Sequence, residues 1–363
     1  MKKTLVCFTL FLILSACGLS ETAETMDAME LKDIHGRTVE VPRDTARHVA
    51  VGPGALRLYS YIGDPESIVG IEAFETNNPS AGRPYTELYL ESSESLPQIG
   101  SGGPKASLNP EAIMAAGPEI IFVSDHYDEA EVSRLQKDTM IPVITITSAT
   151  SEGSIFSDTL YESFKLIGEA TGNSERGKAV VSFMKDTKED LHTRSLEASD
   201  AKELYLGCLP KSGIQGIAST SGDYDLLDTL HIENIARKAG IRNHAFIDKE
   251  QLLLWDPEHI VIDANGYGRL QDDMKDSGSF YSQLSAFKNG QVHMQMPYNF
   301  YSTNIELALA NAYFIGSVMH PESFSDIDPK EKTDTLSRFF LGVEIYEELE
   351  KTYSGGFQSF GSD

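Results

Sequence analysis

The longest regular pattern of apolar and polar positions lies near the middle of the chain. Between Ser174 and Leu196, apolar side chains recur at helical spacing, charged side chains fill the positions between them, and no proline or glycine follows Gly177. The pattern predicts one uninterrupted helix with Ser174 at its N-cap. At 1.5 Å per residue such a helix is about 30 Å long, which is enough to join two domains.

The segments on either side of this helix share a second pattern. In each, a short amphipathic helix is stopped by Pro-Glu, and a buried strand of Ile, Val and Phe follows at once. The first copy covers 111–125 and the second covers 250–264, so equivalent residues such as Glu111 and Glu250 stand at the same offset of 139 positions. The repeat predicts an α/β protein with two similar lobes joined by one long helix.

The repeat also divides the chain. We expect an N-terminal lobe over 31–172, the connecting helix over 173–197, a C-terminal lobe over 198–345 and a C-terminal tail over 346–363.

The amino terminus has the pattern of a secretion signal. A signal peptide is predicted over 1–16, because basic residues precede an apolar run of about ten residues, which is too short to span a bilayer. Its end, LSAC at 14–17, has the form of a lipobox, so cleavage would leave a lipidated Cys17 as the first residue. An ordinary signal peptide with a chance cysteine is the alternative. Residues 17–30 are mostly small or acidic and have no apolar periodicity, which predicts a flexible tether. The protein is therefore expected outside the cytoplasm, anchored to the cell membrane.

Charge and motifs narrow the possible functions. The formal net charge of −25 argues against a nucleic-acid partner and against binding flat on an anionic membrane. No G-x-S-x-G, H-E-x-x-H or Walker sequence is present, so we expect neither catalytic activity nor a bound cofactor. The nine histidines are scattered singly, which argues against a bare metal site. Cys208 lies in an apolar run and is expected to be buried. We also expect the protein to be a monomer.

These features together resemble a known family. The lipobox leader, DIHGRTVEVP over 33–42, NPEAIMAAGPEIIFV over 109–123, the single long helix and the repeat resemble the solute-binding lipoproteins of ABC importers in the rigid-helix class. That class binds ferric siderophores, haem, vitamin B12, molybdate or tungstate. The resemblance covers roughly 31–342, and it implies a ligand that is held between the lobes and delivered to an ABC permease with its ATPase.

The resemblance leaves the ligand open. The segment 304–329 is more similar to the metal-chelate and oxyanion members than to the vitamin B12 members. A ferric siderophore-like chelate or a related anionic ligand is therefore expected. Molybdate or tungstate, a corrinoid or haem, and a bare zinc or manganese ion remain as alternatives.

The resemblance also makes residues at the predicted strand ends candidates for ligand contact. A Gly-Pro-Gly turn can present backbone N–H groups, arginine offers a planar fork of donors, and tyrosine offers a flat face with a polar tip. The candidates are Gly52, Gly54, Arg83, Tyr85, Asp125, His126, Tyr127, Ser219, Thr220, Tyr267, Arg269, Tyr298 and Tyr301. Because Arg83 and Arg269 come from opposite lobes, they favour an anionic metal complex or oxyanion. For each residue, a solvated loop side chain is the alternative.

The paired glutamates of the repeat suggest a partner surface. Glu111 and Glu250 each begin a short helix, and in the resembled family glutamates at these positions meet arginines of the membrane permease. Two separated carboxylates would steer and orient docking on a symmetric partner. Stabilisation of the helix dipole, worth about 0.3–1 kcal/mol, is the alternative.

Overall fold

The computed structural model describes residues 27–77, 81–148, 154–196 and 202–360. The predicted signal peptide, Cys17 and most of the predicted tether lie outside the described residues. Within those ranges, no helix combines the length and the apolar character needed to cross a membrane.

Short strands alternate with helices along the chain, as the sequence predicts. The strands are β1 (Ala28–Lys32), β2 (Thr38–Pro42), β3 (His48–Val51), β4 (Ile120–Ser124), β5 (Val143–Ile146), β6 (Lys202–Gly207), β7 (Ser219–Ser221), β8 (Ile232–Asn234), β9 (His244–Phe246), β10 (Ile260–Asp263), β11 (Val292–Gln295) and β12 (Gln358–Phe360). The helices are α1 (Ala55–Ser60), α2 (Ala73–Asn77), α3 (Pro110–Ala116), α4 (Glu129–Thr139), α5 (Asp158–Ala170), α6 (Ser174–Leu196), α7 (Asp225–Thr229), α8 (Ile235–Lys238), α9 (Lys249–Trp255), α10 (Tyr267–Asp276), α11 (Gly278–Tyr281), α12 (Ser285–Lys288), α13 (Ile305–Met319), α14 (Pro329–Leu341) and α15 (Tyr346–Thr352).

Each lobe is built on a parallel sheet. In the N-terminal lobe the order is β3-β4-β5, and in the C-terminal lobe it is β12-β11-β10-β6-β8, in which only β12 is antiparallel to its neighbour. The residues of β3, β4, β5, β10 and β11 are all buried, which explains why these strands are continuous apolar runs in the sequence. The predicted α/β fold is therefore present.

The long helix α6 has the predicted bounds. Its first helical residue is Ser174, and the N–H of Gly177 donates to the carbonyl of Asn173 (3.0 Å), so Asn173 rather than Ser174 precedes the first turn. Both ends are held: Arg176 donates to the carbonyls of Tyr61 (2.9 Å) and Phe339 (2.5 Å), and near the other end Arg194 pairs with Asp326 (2.6 Å). Helix α6 is thus fixed to both halves of the molecule.

The repeat is visible as matching structure. Helix α3 leads through Pro118 into β4, and α9 leads through Pro257 into β10. Both helices end on a residue in the left-handed conformation, Gly117 (φ 66°) in the first copy and Asp256 (φ 38°) in the second. These two residues stand at the same offset of 139 positions as the rest of the repeat.

Three segments differ from the predictions. The predicted tail over 346–363 instead contains α15 and β12, because Phe357 stacks on Phe314 (ring centroids 4.5 Å apart) and β12 hydrogen-bonds to the edge of β11. The predicted tether ends early, since β1 begins at Ala28 and pairs with β2. The sequence over 225–240 predicts a single helix, but the structure divides this segment into α7 and α8 with β8 between them, after a left-handed residue at His231.

Candidate functional site

The turn after β3 is packed tightly by its own chain. Gly52 and Gly54 both have left-handed backbones (φ 91° and 81°). A Cβ at Gly52 would lie 2.6 Å from the Ser124 hydroxyl, and one at Gly54 would lie 2.9 Å from the Ser148 carbonyl oxygen and 3.0 Å from Cβ of Ser302. Only glycine fits both the conformation and the space. Ser302 comes from the C-terminal lobe, so this turn lies at the junction of the lobes.

A buried polar cluster, which we call the junction cluster, fills this turn. It consists of Gly52, Glu72, Gly103 and Tyr301. The Gly52 N–H and the Tyr301 hydroxyl donate to the same Glu72 oxygen, Oε2 (3.0 and 3.2 Å), and the Gly103 N–H donates to the Tyr301 oxygen (2.9 Å). Burial, followed by the charge of Glu75, raises the pKa of Glu72 to about 7. A tyrosine of the C-terminal lobe thus reaches a carboxylate of the N-terminal lobe.

Arg57 on α1 holds the loop that carries Tyr301. Its guanidinium donates to the carbonyls of Phe300 (2.8 Å) and Tyr301 (3.1 Å) and to the side-chain oxygen of Asn304 (2.9 Å), and it lies 4.6 Å from the centre of the Tyr85 ring. Arg57 is completely buried. The loop from β11 to α13 is therefore fixed by the opposite lobe.

A cavity of about 300 Å³ opens beside this loop, at the carboxyl ends of β6 and β11, and we call it the interlobe cavity. Its walls include Ile155 from the N-terminal lobe and, from the C-terminal lobe, Lys211, Tyr224, His244, Tyr298 and Asn299. The rings of Tyr224 and Tyr298 meet edge to face with centroids 5.9 Å apart. The volume is at the lower end of the range for small-molecule sites.

The two tyrosines and the histidine of the interlobe cavity are uncharged around pH 7. Burial raises the pKa of Tyr224 and of Tyr298, so both phenols keep their protons. Burial, followed by the Lys211 charge, lowers the pKa of His244, whose Nε2 lies 2.7 Å from the Ser219 hydroxyl. The cavity therefore offers hydroxyl, amide and imidazole groups beside one lysine, Lys211, and two carboxyl groups, those of Asp223 and Asp225. This set suits an oxygen-rich ligand with both polar and aromatic parts.

Two acidic residues, Asp223 and Asp225, line this cavity, and a third, Asp263, lies on β10 opposite Gln295. Asp225 accepts hydrogen bonds from the Ile155 N–H (2.9 Å) and the Ser154 hydroxyl (2.8 Å), which is a further contact between the lobes. Asp263 is Cα partner to Gln295 across β10 and β11, and Gln295 accepts from the Tyr224 hydroxyl (3.1 Å). Burial raises the pKa of Asp263 to about 7.

Arg83 and Tyr85 lie in the core rather than on an exposed loop facing the cleft. Both are completely buried, and both bond to Glu75 Oε2, Arg83 Nη1 at 2.8 Å and the Tyr85 hydroxyl at 2.6 Å. Arg269 is an exposed residue of α10 whose guanidinium donates to the Ile214 carbonyl (3.2 Å). Neither arginine is among the residues that line the interlobe cavity. The two arginines, which were predicted to face one ligand from opposite lobes, therefore do not line one cavity in this structure.

The remaining candidates are spread over several places. Tyr298 lines the interlobe cavity, and Gly52, Gly54, Tyr127 and Tyr301 lie at the junction of the lobes. Ser219 and Thr220 are buried in β7, where the Ser219 hydroxyl donates to the Leu209 carbonyl (2.6 Å). Asp125 accepts from the Ser148 N–H (2.8 Å), His126 is exposed, and Tyr267 stacks on Phe360 (centroids 5.0 Å apart). The structure thus brings together only part of the predicted set.

Sequence reasoning missed several residues of the interlobe cavity. Lys211, Tyr224, His244 and Asn299 were not predicted to contact ligand. Lys211 follows β6 within four residues, and Asn299 lies between two predicted tyrosines, so both carried a signal of position. His244 and Tyr224 reach the cavity through the small β7-β9 sheet and the start of α7, which the sequence pattern did not predict.

Two further predictions concern groups outside the interlobe cavity. Glu111 and Glu250 are both exposed, in the first turns of α3 and α9. Over the parts of the chain that the structure describes, no group of three or more His, Cys, Asp or Glu side chains is arranged to hold a metal ion.

Comparisons with known proteins agree with this architecture. A model of a family described as periplasmic binding protein matches residues 49–295, which run from β3 to the end of β11. The molybdate-binding protein MolA of Haemophilus influenzae is 24% identical over 351 residues, covering 90% of this chain and 95% of that protein. The uncharacterized ABC transporter substrate-binding lipoprotein YvrC of Bacillus subtilis is 20% identical, covering 72% of this chain and 76% of its own.

A solved structure shows the same fold. The TroA-like periplasmic binding protein FepB from Veillonella parvula superposes with a TM-score of 0.68 at 20% identity, covering 87% of this chain and 97% of that one. The predicted family resemblance is confirmed.

Proposed function

The chain belongs to the periplasmic binding protein family and is a solute-binding protein of an ABC transporter, and from this premise we propose that it captures a metal chelate, of the ferric siderophore type, between its two lobes. The observation that carries the proposal is the interlobe cavity, because Ile155 and Tyr298 reach it from opposite lobes. The proposed role is ligand binding without catalysis.

The chemistry of the cavity supports a chelate. Tyr224 and Tyr298 present neutral hydroxyls and aromatic faces, which suit the flat, oxygen-rich surface of a catecholate or hydroxamate complex. Lys211 supplies one positive charge for a ligand of negative net charge. Since the cavity is about 300 Å³ and open on one side, it would hold part of such a complex and leave the rest at its mouth.

A free oxyanion is the second candidate. The observation that favours it is the relative named as molybdate-binding, which matches 90% of this chain. Tetrahedral oxyanions need several converging donors, and Lys211 and Asn299 are the groups of the cavity that would supply them. A corrinoid or haem is larger than the cavity and would require wider separation of the lobes.

We also propose how the protein reaches its partners. Cys17 would carry the lipid anchor, and Glu111 and Glu250 would meet basic residues of the permease, one from each lobe. Both glutamates are exposed, as docking requires. Changing Cys17 to Ala should move the protein from the membrane fraction to the soluble fraction with its ligand affinity intact.

A ligand screen tests the proposal. Purified protein is mixed with the iron(III) complexes of catecholate and hydroxamate chelators, haem, a corrinoid, molybdate and tungstate, and thermal unfolding is followed for each. A ligand at 100 times its Kd stabilises the folded state by about 2.7 kcal/mol, which gives a measurable shift. Stabilisation by ferric chelates is expected, and stabilisation by molybdate or tungstate alone would replace the first candidate with the second.

Substitutions then locate the site. Lys211→Ala and Tyr298→Phe should each weaken chelate binding by about 1–3 kcal/mol, the range for losing a hydrogen bond to a charged or buried partner. Lys137→Ala, an exposed lysine on α4, is the matched control and should change nothing. Unchanged affinity in both cavity variants would place the ligand elsewhere.

A further inference from the structure

We propose that Glu72 is a specificity-determining residue that keeps free tetrahedral oxyanions out of the lobe junction, because its carboxylate both occupies the hydrogen-bond donors of the glycine turn and repels a second anion there. The inference rests on the proposed function, since it assumes that ligands are captured between the lobes. It adds a reason, particular to this chain, for one ligand class to be excluded from the junction cluster.

The geometry shows what Glu72 replaces. The turn at Gly52 and the loop at Gly103 each direct a backbone N–H into the junction, and Tyr301 adds a hydroxyl from the other lobe. Three converging neutral donors from three separate segments are the kind of set that binds an oxyanion. Glu72 Oε2 accepts two of these donors, and the Tyr301 oxygen accepts the third.

The space around Glu72 is as restricted as its bonding. Glu72 is only 3% exposed, and a Cβ at Gly102 would lie 2.9 Å from Glu72 Cβ and 3.3 Å from its carboxyl carbon. Phe74 packs on the Tyr301 ring with centroids 4.3 Å apart. An oxyanion could reach the donors only by displacing a carboxylate that is itself an anion.

Charge decides which ligands are affected. The titratable groups that act on Glu72 are Glu75 on α2, Tyr301 from the C-terminal lobe and Tyr127 after β4. Both hydrogen bonds that Glu72 accepts come from neutral donors, so its negative charge repels a second anion at the junction. Glu75 adds to the repulsion, although its own carboxylate pairs with Arg83 (2.8 Å). A bulky chelate in the interlobe cavity does not need these donors and is not excluded.

The conservative variant separates charge from structure. Glu72→Gln keeps a side-chain oxygen that can accept from Gly52 and Tyr301, but it carries no charge. At pH 8.5 we expect the Kd for molybdate to be at least tenfold lower in Glu72→Gln than in the parent. Glu66→Gln, an exposed glutamate in the same lobe, is the matched control and should match the parent.

The pH profile gives a readout that a purely structural role would not move. Burial raises the pKa of Glu72 to about 7, so the parent loses this charge as the pH falls from 8.5 to 5.5. Molybdate at micromolar concentration stays a dianion over this range. Its affinity for the parent should therefore rise as the pH falls, and the dependence should be absent in Glu72→Gln.

The outcomes are distinct. Glu72→Asp keeps the charge, so it should still exclude molybdate at pH 8.5. A gain in molybdate affinity in Glu72→Asp equal to that in Glu72→Gln would overturn the proposal. The proposal would also be overturned by unchanged molybdate affinity in Glu72→Gln, or by molybdate binding to the parent that is independent of pH. Circular dichroism confirms that each variant is folded. If neither the parent nor any variant binds the iron(III) complex of a trihydroxamate chelator while Glu72→Gln gains molybdate affinity, the proposed ligand is wrong and the proposed role of Glu72 is supported.

Discussion

Replacing Arg57 with Met should destabilise the protein strongly, because this buried side chain makes three of the hydrogen bonds between the two lobes. Arg57 donates to two carbonyls and one amide oxygen of the loop before α13 at 2.8–3.1 Å. Hydrogen bonds to a charged group are worth about 1.5–3 kcal/mol each, and bonds made by one guanidinium are not additive. Methionine keeps most of the aliphatic stem but loses the guanidinium that lies over the Tyr85 ring. We expect the free energy of unfolding to fall by about 4 kcal/mol, since the acceptors remain buried.

Thermal unfolding measures this loss. At about 2–4 °C per kcal/mol for lobes of this size, Tm should fall by about 8–16 °C. Arg338→Met is the matched control, because Arg338 is half exposed where it pairs with Glu344, and exposed pairs contribute about 0.2–1 kcal/mol. A Tm for Arg57→Met no lower than that of Arg338→Met would refute the reasoning, since it would mean that the loop does not depend on Arg57.

Three other predictions follow from buried or exposed charge. Burial raises the pKa of Asp263 from 3.8 to about 7, so the folded state binds this proton more tightly than the unfolded state and loses that advantage as the pH rises through about 7. Asp263→Asn should therefore gain stability relative to the parent between pH 4 and pH 8, by at most about 4 kcal/mol. Urea unfolding at each pH measures the difference in stability between variant and parent, and an equal difference at both pH values would contradict this prediction. Glu111→Ala with Glu250→Ala should leave ligand affinity unchanged and abolish ligand-stimulated ATP hydrolysis by the reconstituted transporter; full stimulation would leave only the helix-dipole role. Cys208 is completely buried and burial raises its pKa, so Ellman's reagent should label it only after unfolding, and rapid labelling of the native protein would count against its place in the core.

The fold could be predicted because its elements have strong local signals. Helix α6 has the predicted bounds, since 23 residues of helical periodicity carry no internal breaker. The repeat is equally visible, because Pro-Glu follows both α3 and α9. The segments that were mispredicted depend on distant contacts: β12 exists because β11 offers a free edge, and a local pattern carries no information about that edge.

The site was predicted less well, for a similar reason. Strand ends were taken as the places to look, and Tyr298, one of these candidates, lines the interlobe cavity. Arg83 looked like a loop residue because its segment is polar, but Glu75 neutralises its charge and allows complete burial. The partner of a buried charge is a tertiary fact, and here eight positions along the chain separate the two residues without any periodic signal.

The two left-handed helix caps show how a duplicated unit diverges. At Gly117 the backbone conformation alone explains the residue. At Asp256 the same conformation is strained for a side chain, but the carboxylate accepts hydrogen bonds from the N–H and the hydroxyl of Ser285, both at 2.7 Å, at the start of α12. Replacing Asp256 with glycine would relax the left-handed turn after α9 but would remove both hydrogen-bond acceptors of Ser285 at the start of α12. The two copies of the repeat therefore share a backbone conformation at this position but cannot exchange residues there without cost, because only the second copy holds a neighbouring helix through its side chain.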